Sequence, residues 1–189
     1  MSALVARGFP LPERTTSGGC TLDADVSDAF DNYVRSHGQR LVRTAYLLTG
    51  DRQAAEDIVQ NALASVLASW RRLRDVSNLD AYMYTAVVNA RSRWWRRRWH
   101  AEIPTDVLPD GAEAGELGRV DGYAEMMAAL VGLPPRQRAA LVLRFYEDLS
   151  EAETARILGC SVGTVKSQTS RALSRLRTSL TDPAGTEVQ

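Results

Sequence analysis

The chain has 189 residues, of which 44% are hydrophobic, and its formal net charge is zero. These totals exclude a disordered chain and are typical of a globular protein with one ordinary core or two small helical cores. No run of eighteen or more apolar residues and no basic-then-apolar leader occurs in the sequence, so we expect a cytoplasmic protein that does not associate with a membrane.

Residues suited to metal binding or catalysis are sparse. Cys20 and Cys160 lie far apart, and His37 and His100 have no ligand-like neighbours three or four residues away. The sequence also has no ordered Ser/His/Asp set and no phosphate-binding glycine loop. We therefore expect no disulfide, no metal and no cofactor, and we do not expect an enzyme.

The charge is distributed unevenly along the chain. Residues 27–100 contain 12 basic and 7 acidic side chains, residues 101–122 contain 1 and 6, and residues 123–180 contain 8 and 5. Two basic blocks therefore flank an acidic connector. This arrangement is typical of a DNA-binding protein with two contact regions, whose connector avoids or mimics the phosphate backbone.

Three amphipathic helices are predicted from Ser27 to His100, because apolar residues recur there three or four positions apart. Asp51 can cap the second helix, and Ser77 with Asp80 resembles a capping box at the start of the third. Three helices with short connections predict a bundle. The expected core positions are Phe30, Val34, Leu41, Ala45, Leu48, Ile58, Ala62, Val66, Trp70, Leu73, Tyr84, Val87 and Val88.

A second helical unit begins at Tyr123. Its first helix stops at 132–134 (GLP), and Pro135 opens the next helix, which runs to about Tyr146. Two shorter signals complete the unit. The first is a capping box at 150–153 (SEAE), which begins a short helix. The second is Gly159, which ends that helix; Ser161 then caps a last helix over about 162–180. Helix, glycine turn and helix at this spacing predict a helix-turn-helix.

The sequence therefore predicts an all-α fold with two small helical domains, over 26–100 and 122–180. A flexible acidic linker is expected over 101–121, because this stretch is rich in glycine, proline and acidic residues and has no periodic face. A disordered extension over 1–25 and a short tail over 181–189 complete the prediction.

Two groups of residues are candidates for contact with DNA. In a helix-turn-helix, the first residues of the second helix face the major groove, and basic and hydroxyl side chains there can bind base edges or phosphates. Arg144, on the preceding helix, could bind a phosphate. An ordinary amphipathic hairpin would explain the same pattern. The candidates on the second helix are Thr164, Lys166, Ser167, Ser170 and Arg171.

The second group is an arginine-rich stretch interleaved with tryptophans near the end of the third helix. Arginines neutralise phosphates and an exposed indole can stack on an unpaired base, but the same residues could form a core plug and a solvated helix end. Adjacent helical positions point about 100° apart, so we expect one of Trp94 and Trp95 to be buried and the other exposed.

Both halves, taken in order, resemble the sigma-70 family of RNA polymerase sigma factors. The resemblance covers roughly residues 27–179 and is closest to the small extracytoplasmic-function (ECF, group 4) type, in its sigma-E-like subgroup, which retains the second and fourth sigma domains. The segments that carry it are 55–60 (AEDIVQ), 70–73 (WRRL), 79–90 (LDAYMYTAVVNA), 133–138 (LPPRQR), 141–150 (LVLRFYEDLS) and 163–167 (GTVKS), with Arg171.

The resemblance implies a transcription initiation factor that binds core RNA polymerase, recognises minus-10 and minus-35 promoter elements and promotes strand opening. It implies that Asp57, Gln60 and Asn61 dock on the coiled coil of the largest polymerase subunit, and that the second domain meets the flap region. The last helix would read the minus-35 element through Arg144 and the five candidates above. The residues implied for minus-10 DNA are Arg72, Arg74, Asp75, Ser77, Asn78, Asn89, Arg93, Arg96 and Arg97.

An anti-sigma factor is a further partner that the resemblance suggests. Gln168 stands where relatives often have arginine, which would weaken a phosphate contact or change the promoter preference. The alternative is a stand-alone helix-turn-helix regulator with an N-terminal sensing domain. That reading explains residues 123–180 but leaves the Asp57 and Gln60 face and the arginine-tryptophan stretch without a role.

Overall fold

The computed structural model describes residues 24–73, 79–100 and 122–181, and every regular element in these ranges is helical. The predicted all-α fold is therefore confirmed for this part of the chain. Most of the predicted N-terminal extension, the whole linker over 101–121 and the tail beyond Thr181 lie outside the described residues. The elements are α1 (Ala24–Thr49), α2 (Arg52–Leu73), α3 (Leu79–His100), α4 (Tyr123–Gly132), α5 (Pro135–Leu141), a π-helical turn (Val142–Tyr146), α6 (Glu151–Leu158) and α7 (Val162–Thr181).

Helices α1 to α3 form an N-terminal unit around their apolar faces. The predicted core positions between Phe30 and Val88 are all buried, apart from Leu73, whose side chain lies outside the described residues. Asp51 caps α2 as predicted, because its carboxylate accepts a hydrogen bond from the Ala54 backbone N–H at 3.0 Å. The rings of Phe30 and Trp70 pack in a T-shaped arrangement, with 4.9 Å between ring centroids.

Helices α4 to α7 form a C-terminal unit whose helix ends follow the predicted signals. Pro135 begins α5, and Ser150 and Glu153 form the capping box of α6. Gly159 ends α6 with φ of 62°, a left-handed conformation that costs glycine little. Ser161 then accepts a hydrogen bond from the Thr164 backbone N–H at 3.1 Å and begins α7. The ends of the two helices of the helix-turn-helix are therefore set by local capping hydrogen bonds and by the glycine stop.

One predicted helix is interrupted. The sequence pattern predicts a continuous helix from Pro135 to about Tyr146, but the α-helix ends at Leu141 and a π-helical turn follows. There the Glu147 N–H donates to the Val142 carbonyl at 3.1 Å, a spacing of five residues, and Asp148 adopts a left-handed φ of 54°. Apolar periodicity cannot distinguish the two helix types over five residues.

The two units pack directly against each other, and we call their contact the seam. Helix α1 packs against α4, α5 and the π turn, and α3 packs against α6. A single cluster of buried apolar residues extends from Phe30 in α1 to Leu176 in α7. At the α1–α2 corner, Gly50 has a φ of 76°, and a Cβ there would overlap Val131 of α4. The described parts of the two units therefore share one core.

Leu41→Ala tests the packing of this core. Leu41 is 2% exposed, so the change removes buried methyl groups and leaves a cavity. The free energy of unfolding is expected to fall by about 3 kcal/mol in urea denaturation. Leu180→Ala makes the same change at a residue that is 46% exposed and is expected to cost less than about 1 kcal/mol. Equal losses for the two variants would contradict this packing.

Candidate nucleic-acid interface

The predicted recognition helix presents one polar face to solvent. Val165 and Ala172 of α7 are buried, whereas Lys166, Ser167 and Ser170 are exposed. Residues three and four positions apart lie on the same side of an α-helix, so Ser170 shares a side with both Lys166 and Ser167. Arg171 is exposed and extends the same face. The structure therefore brings four of the five predicted α7 candidates together on an accessible surface.

Thr164, the fifth α7 candidate, is half-buried in the turn. Its hydroxyl lies 2.9 Å from the Ser161 hydroxyl, so it supports the start of α7 while remaining at the edge of the polar face. Lys166 lies 3.6 Å from the Glu151 carboxylate, and its side chain is 63% exposed. An ion pair this open to water is worth little. Lys166 can therefore exchange Glu151 for a phosphate or a guanine edge at small cost.

Arg144 occupies a different environment from the α7 candidates. It lies in the π turn and is half-buried. Its guanidinium donates a hydrogen bond to the Leu149 carbonyl and lies 6.0 Å from the centroid of the exposed Phe145 ring. The side chain thus stabilises the chain reversal before α6. Its predicted phosphate contact would use the donors that Leu149 leaves unoccupied.

A second basic surface lies on α3. The predicted candidates Asn89, Arg93 and Arg96 are exposed there, and they line an open cleft of about 500 Å³. The cleft spans the seam, because α5 contributes part of its wall. The other residues that line it are Arg91, Ser92, Trp95, Pro135 and Arg136.

Six of the nine minus-10 candidates have side chains outside the described residues. Arg74, Asp75, Ser77 and Asn78 lie outside the described residues. Arg72 in α2 and Arg97 in α3 lie on described backbone, but their side chains are not described.

The exposure of the two adjacent tryptophans differs from the prediction. Trp94 and Trp95 are both half-buried, their ring centroids are 6.0 Å apart and their planes are tilted by 48°. Trp94 packs against the shared core, and Trp95 lines the cleft. The prediction of one buried and one exposed ring is wrong because the C-terminal unit covers part of the α3 surface that the N-terminal bundle alone would expose.

The predicted polymerase-docking residues lie on the outer face of α2. Asp57 and Asn61 are exposed and Gln60 is half-buried, whereas the intervening Ile58 and Val59 are fully buried. The Asn61 side-chain amide donates to the Asp57 carbonyl at 2.6 Å. This polar surface contributes nothing to the apolar core and is available to a partner.

Sequence reasoning missed a set of charged residues buried in the seam. Arg138 of α5 is 3% exposed and donates hydrogen bonds to the carbonyls of Leu48 at 3.0 Å, Leu133 at 3.2 Å and Val131. Arg91 of α3 is 6% exposed and also donates to the Leu48 carbonyl, at 3.1 Å. Both guanidiniums therefore satisfy carbonyls at the end of α1, where the helix dipole favours positive charge.

Burial lowers the pKa of Arg91 to about 10, and burial together with the neighbouring Arg91 charge lowers the pKa of Arg138 to about 10. Both side chains remain charged at neutral pH. One of the two had a usable signal in the sequence. Arg91 follows Val87 and Val88 at helical spacing, so it falls on the buried stripe of α3.

Known proteins resemble both units in the same order. The family model for sigma-70 region 2 matches residues 33–101, and that for sigma-70 region 4 matches residues 123–176. An RNA polymerase sigma-E factor from Streptomyces coelicolor is 40% identical over 151 residues, covering 80% of this chain and 85% of that protein. The ECF RNA polymerase sigma factor SigM from Mycobacterium tuberculosis is 35% identical over 150 residues, covering 78% and 75%.

A solved structure has the same fold. The sigma factor RpoE from Bartonella quintana, crystallised in complex with the anti-sigma factor NepR, matches with a TM-score of 0.69 at 28% identity. The match covers 82% of this chain and 98% of that one.

The chain therefore belongs to the sigma-70 family of RNA polymerase sigma factors, which are transcription initiation factors. The resemblance to the ECF type, predicted from the motifs, is confirmed by the curated relatives. The matched regions are the second and fourth, and they correspond to the N-terminal and C-terminal units.

Arg138→Met tests how much the buried guanidinium stabilises the fold. The change keeps most of the side-chain length but leaves the Val131 and Leu133 carbonyls without this donor and the Leu48 carbonyl with Arg91 alone, so the free energy of unfolding is expected to fall by about 3 kcal/mol. Arg136→Met, at an exposed position of the same helix, is expected to change it by no more than about 0.5 kcal/mol. Urea denaturation of both variants checks the difference, and a loss no larger for Arg138→Met than for Arg136→Met would show that the carbonyl contacts are unimportant.

Proposed function

We propose that this sigma factor directs core RNA polymerase to promoters with minus-10 and minus-35 elements and helps to open the DNA strands. Residues 26–100 serve the polymerase and the minus-10 element, and residues 122–180 serve the minus-35 element. The observation that carries the proposal is the pair of exposed basic or polar helix faces, on α3 and α7, in a chain whose units match sigma regions 2 and 4.

In this proposal α7 reads the minus-35 element in the major groove. An α-helix fits that groove, and basic side chains near its start can bind guanine edges while hydroxyls bind phosphates or bases. Lys166 supplies the charge, and Ser167, Ser170 and Arg171 lie beside it on the exposed face. Gln168 is half-buried, and its uncharged amide would bind a phosphate more weakly than an arginine, or change the promoter preference.

The α3 surface and the loop before it are proposed to hold the minus-10 element. Arg93 and Arg96 would neutralise phosphates, and Asn89 has the amide geometry that pairs with a base edge. Residues 72–78 would form the pocket for a base flipped out of the duplex, at a cost of a few kcal/mol that pocket contacts offset.

The exposed face of α2 is proposed to dock on core polymerase through Asp57, Gln60 and Asn61, while the C-terminal unit meets the flap region. The polymerase would hold the two units at the spacing of the promoter elements. Promoter DNA alone should therefore bind weakly, since two small basic surfaces make few simultaneous phosphate contacts. The same faces would suit an anti-sigma factor, since the Bartonella quintana relative was crystallised with one.

The protein is proposed to act in the cytoplasm and to have no enzymatic activity of its own, since the polymerase performs the chemistry. Among the described residues no helix is long and apolar enough to cross a membrane, and no group of three or more His, Cys, Asp or Glu could hold a metal ion. The alternative of a stand-alone regulator is not favoured, because the family model for sigma-70 region 2 matches residues 33–101 of the N-terminal unit.

Run-off transcription with purified core polymerase and a genomic promoter library tests this function. Wild type is expected to give discrete starts that share two spaced elements. Asp57→Ala is expected to reduce all starts together by about tenfold or more, because it weakens core docking. Asp28→Ala removes an exposed carboxylate from α1 and is the matched control. Absence of core-dependent starts in wild type would refute the proposal.

The same assay separates promoter reading from docking. Lys166→Ala is expected to reduce transcription from promoters with a strong minus-35 element by about tenfold, the value of one good base contact. Core binding, measured by gel filtration, should be unchanged. Arg177→Ala removes an exposed charge near the end of α7 and serves as the control. A uniform loss on all promoters with Lys166→Ala would contradict a specific role in minus-35 reading.

A further inference from the structure

A carboxylate of the C-terminal unit is buried inside the N-terminal unit. Glu147 follows the π turn, and its side chain is 0% exposed. Its carboxylate accepts hydrogen bonds from the Arg40 Nε at 2.6 Å and from the hydroxyls of Thr44 and Tyr84. Arg40 and Thr44 lie on α1 and Tyr84 on α3, so three donors from one unit converge on one acidic residue of the other.

The donors are suited to a carboxylate. A tyrosine hydroxyl is a donor at neutral pH, and burial and the hydrogen bond to Glu147 raise the pKa of Tyr84 further. The Arg40 Nη2 also donates to the Glu147 backbone carbonyl at 3.5 Å. A buried charge is tolerated where it is both paired and hydrogen-bonded, and the Glu147 carboxylate meets both conditions as long as the units remain in contact.

The backbone that delivers Glu147 is unusual. The π turn places Glu147 beyond the end of a regular helix, and Asp148, a non-glycine residue, then adopts a left-handed φ. Any residue with a Cβ adopts this region at a cost, although aspartate does so more readily than most, and π turns occur frequently at functional sites. The Leu149 N–H closes the reversal by donating to the Leu143 carbonyl at 3.1 Å. The π turn and the left-handed Asp148 are therefore retained although they cost conformational energy. Together they place the Glu147 carboxylate across the seam.

The contact is suited to opening as well as closing. Arg40 is 51% exposed, so water reaches one side of the ion pair. If the units separate, water can solvate the carboxylate, the guanidinium and both hydroxyls. This solvation offsets most of the free energy that the ion pair and the hydrogen bonds contribute in the closed form. A polar contact of this kind fixes how the two units pack in the closed form but still allows them to separate. The buried Arg138, which bonds Leu48 across the same seam, has the same character.

The closed arrangement is incompatible with binding both promoter elements at once. Elements centred about 25 base pairs apart are separated by roughly 85 Å, at about 3.4 Å per base pair. A compact chain of this length has a radius of gyration of only about 16 Å. In the closed form α5 also forms part of the wall of the α3 cleft, through Pro135 and Arg136. The units must part before α3 and α7 can reach their elements together.

We propose that Glu147 is an interdomain latch, whose insertion between Arg40, Thr44 and Tyr84 holds the free protein closed and which must be released for promoter binding. The closed state itself follows from contacts within the chain. The statement that it opposes promoter binding rests on the function proposed above. In this proposal Glu147 regulates the protein by controlling whether the two units are closed or open, and it does not itself contact DNA or polymerase.

The latch is tested by measuring the distance between the units in the full-length free protein. Spin labels at Ser65 of α2 and Ser174 of α7, both exposed, are introduced as cysteines after Cys20→Ser and Cys160→Ser. Double electron–electron resonance of wild type is expected to show one short, narrow distance. Glu147→Gln removes the charge at nearly constant size and is expected to raise the ratio of open to closed molecules by about tenfold or more. Tyr84→Phe, which loses one hydroxyl from the other side of the seam, is expected to shift the ratio in the same direction.

Glu125→Gln, an exposed position of α4, is the matched control and should leave the distance unchanged. Circular dichroism verifies that each variant is folded, and Tyr84→Phe carries the test alone if Glu147→Gln fails to fold. A wild-type distribution that is already long and broad, or identical distributions for wild type and Tyr84→Phe, would overturn the latch. Because no polymerase or DNA is present, failure here leaves the transcription result untouched, and failure of run-off transcription leaves the latch untouched.

Discussion

The burial of charged side chains between two helical units is the constraint on which this structure depends. The carbonyl of Leu48, at the end of α1, receives hydrogen bonds from Arg91 of its own unit and Arg138 of the other. One helix end therefore sets the position of both units. Gly50, immediately after it, permits the close approach of Val131. These contacts join α1 and α3 to α4 and α5.

Local features were predictable from the sequence because they depend on residues a few positions apart. The caps at Asp51, Ser150 and Ser161 and the stop at Gly159 each satisfy backbone groups within one helical turn, and all are present. The exposed face of α7 followed from the same periodicity. The resemblance to sigma factors added the roles of these surfaces, which helix geometry alone does not supply.

Features that depend on both units together were not predictable in this way. Glu147 is an ordinary acidic residue in the sequence, and its burial results from donors more than sixty positions away in the chain. The half-burial of Trp95 also involves both units, because Pro135 and Arg136 of α5 line the same cleft.

The most direct test of this account is to add core RNA polymerase to the wild-type chain labelled in both units and to measure the distance again. The account predicts that the short distance of the free protein is replaced by a much longer one in the complex, because docking holds the units at the spacing of the promoter elements. A short distance that persists in a complex competent for transcription would contradict it, since both elements would then be read by a closed molecule.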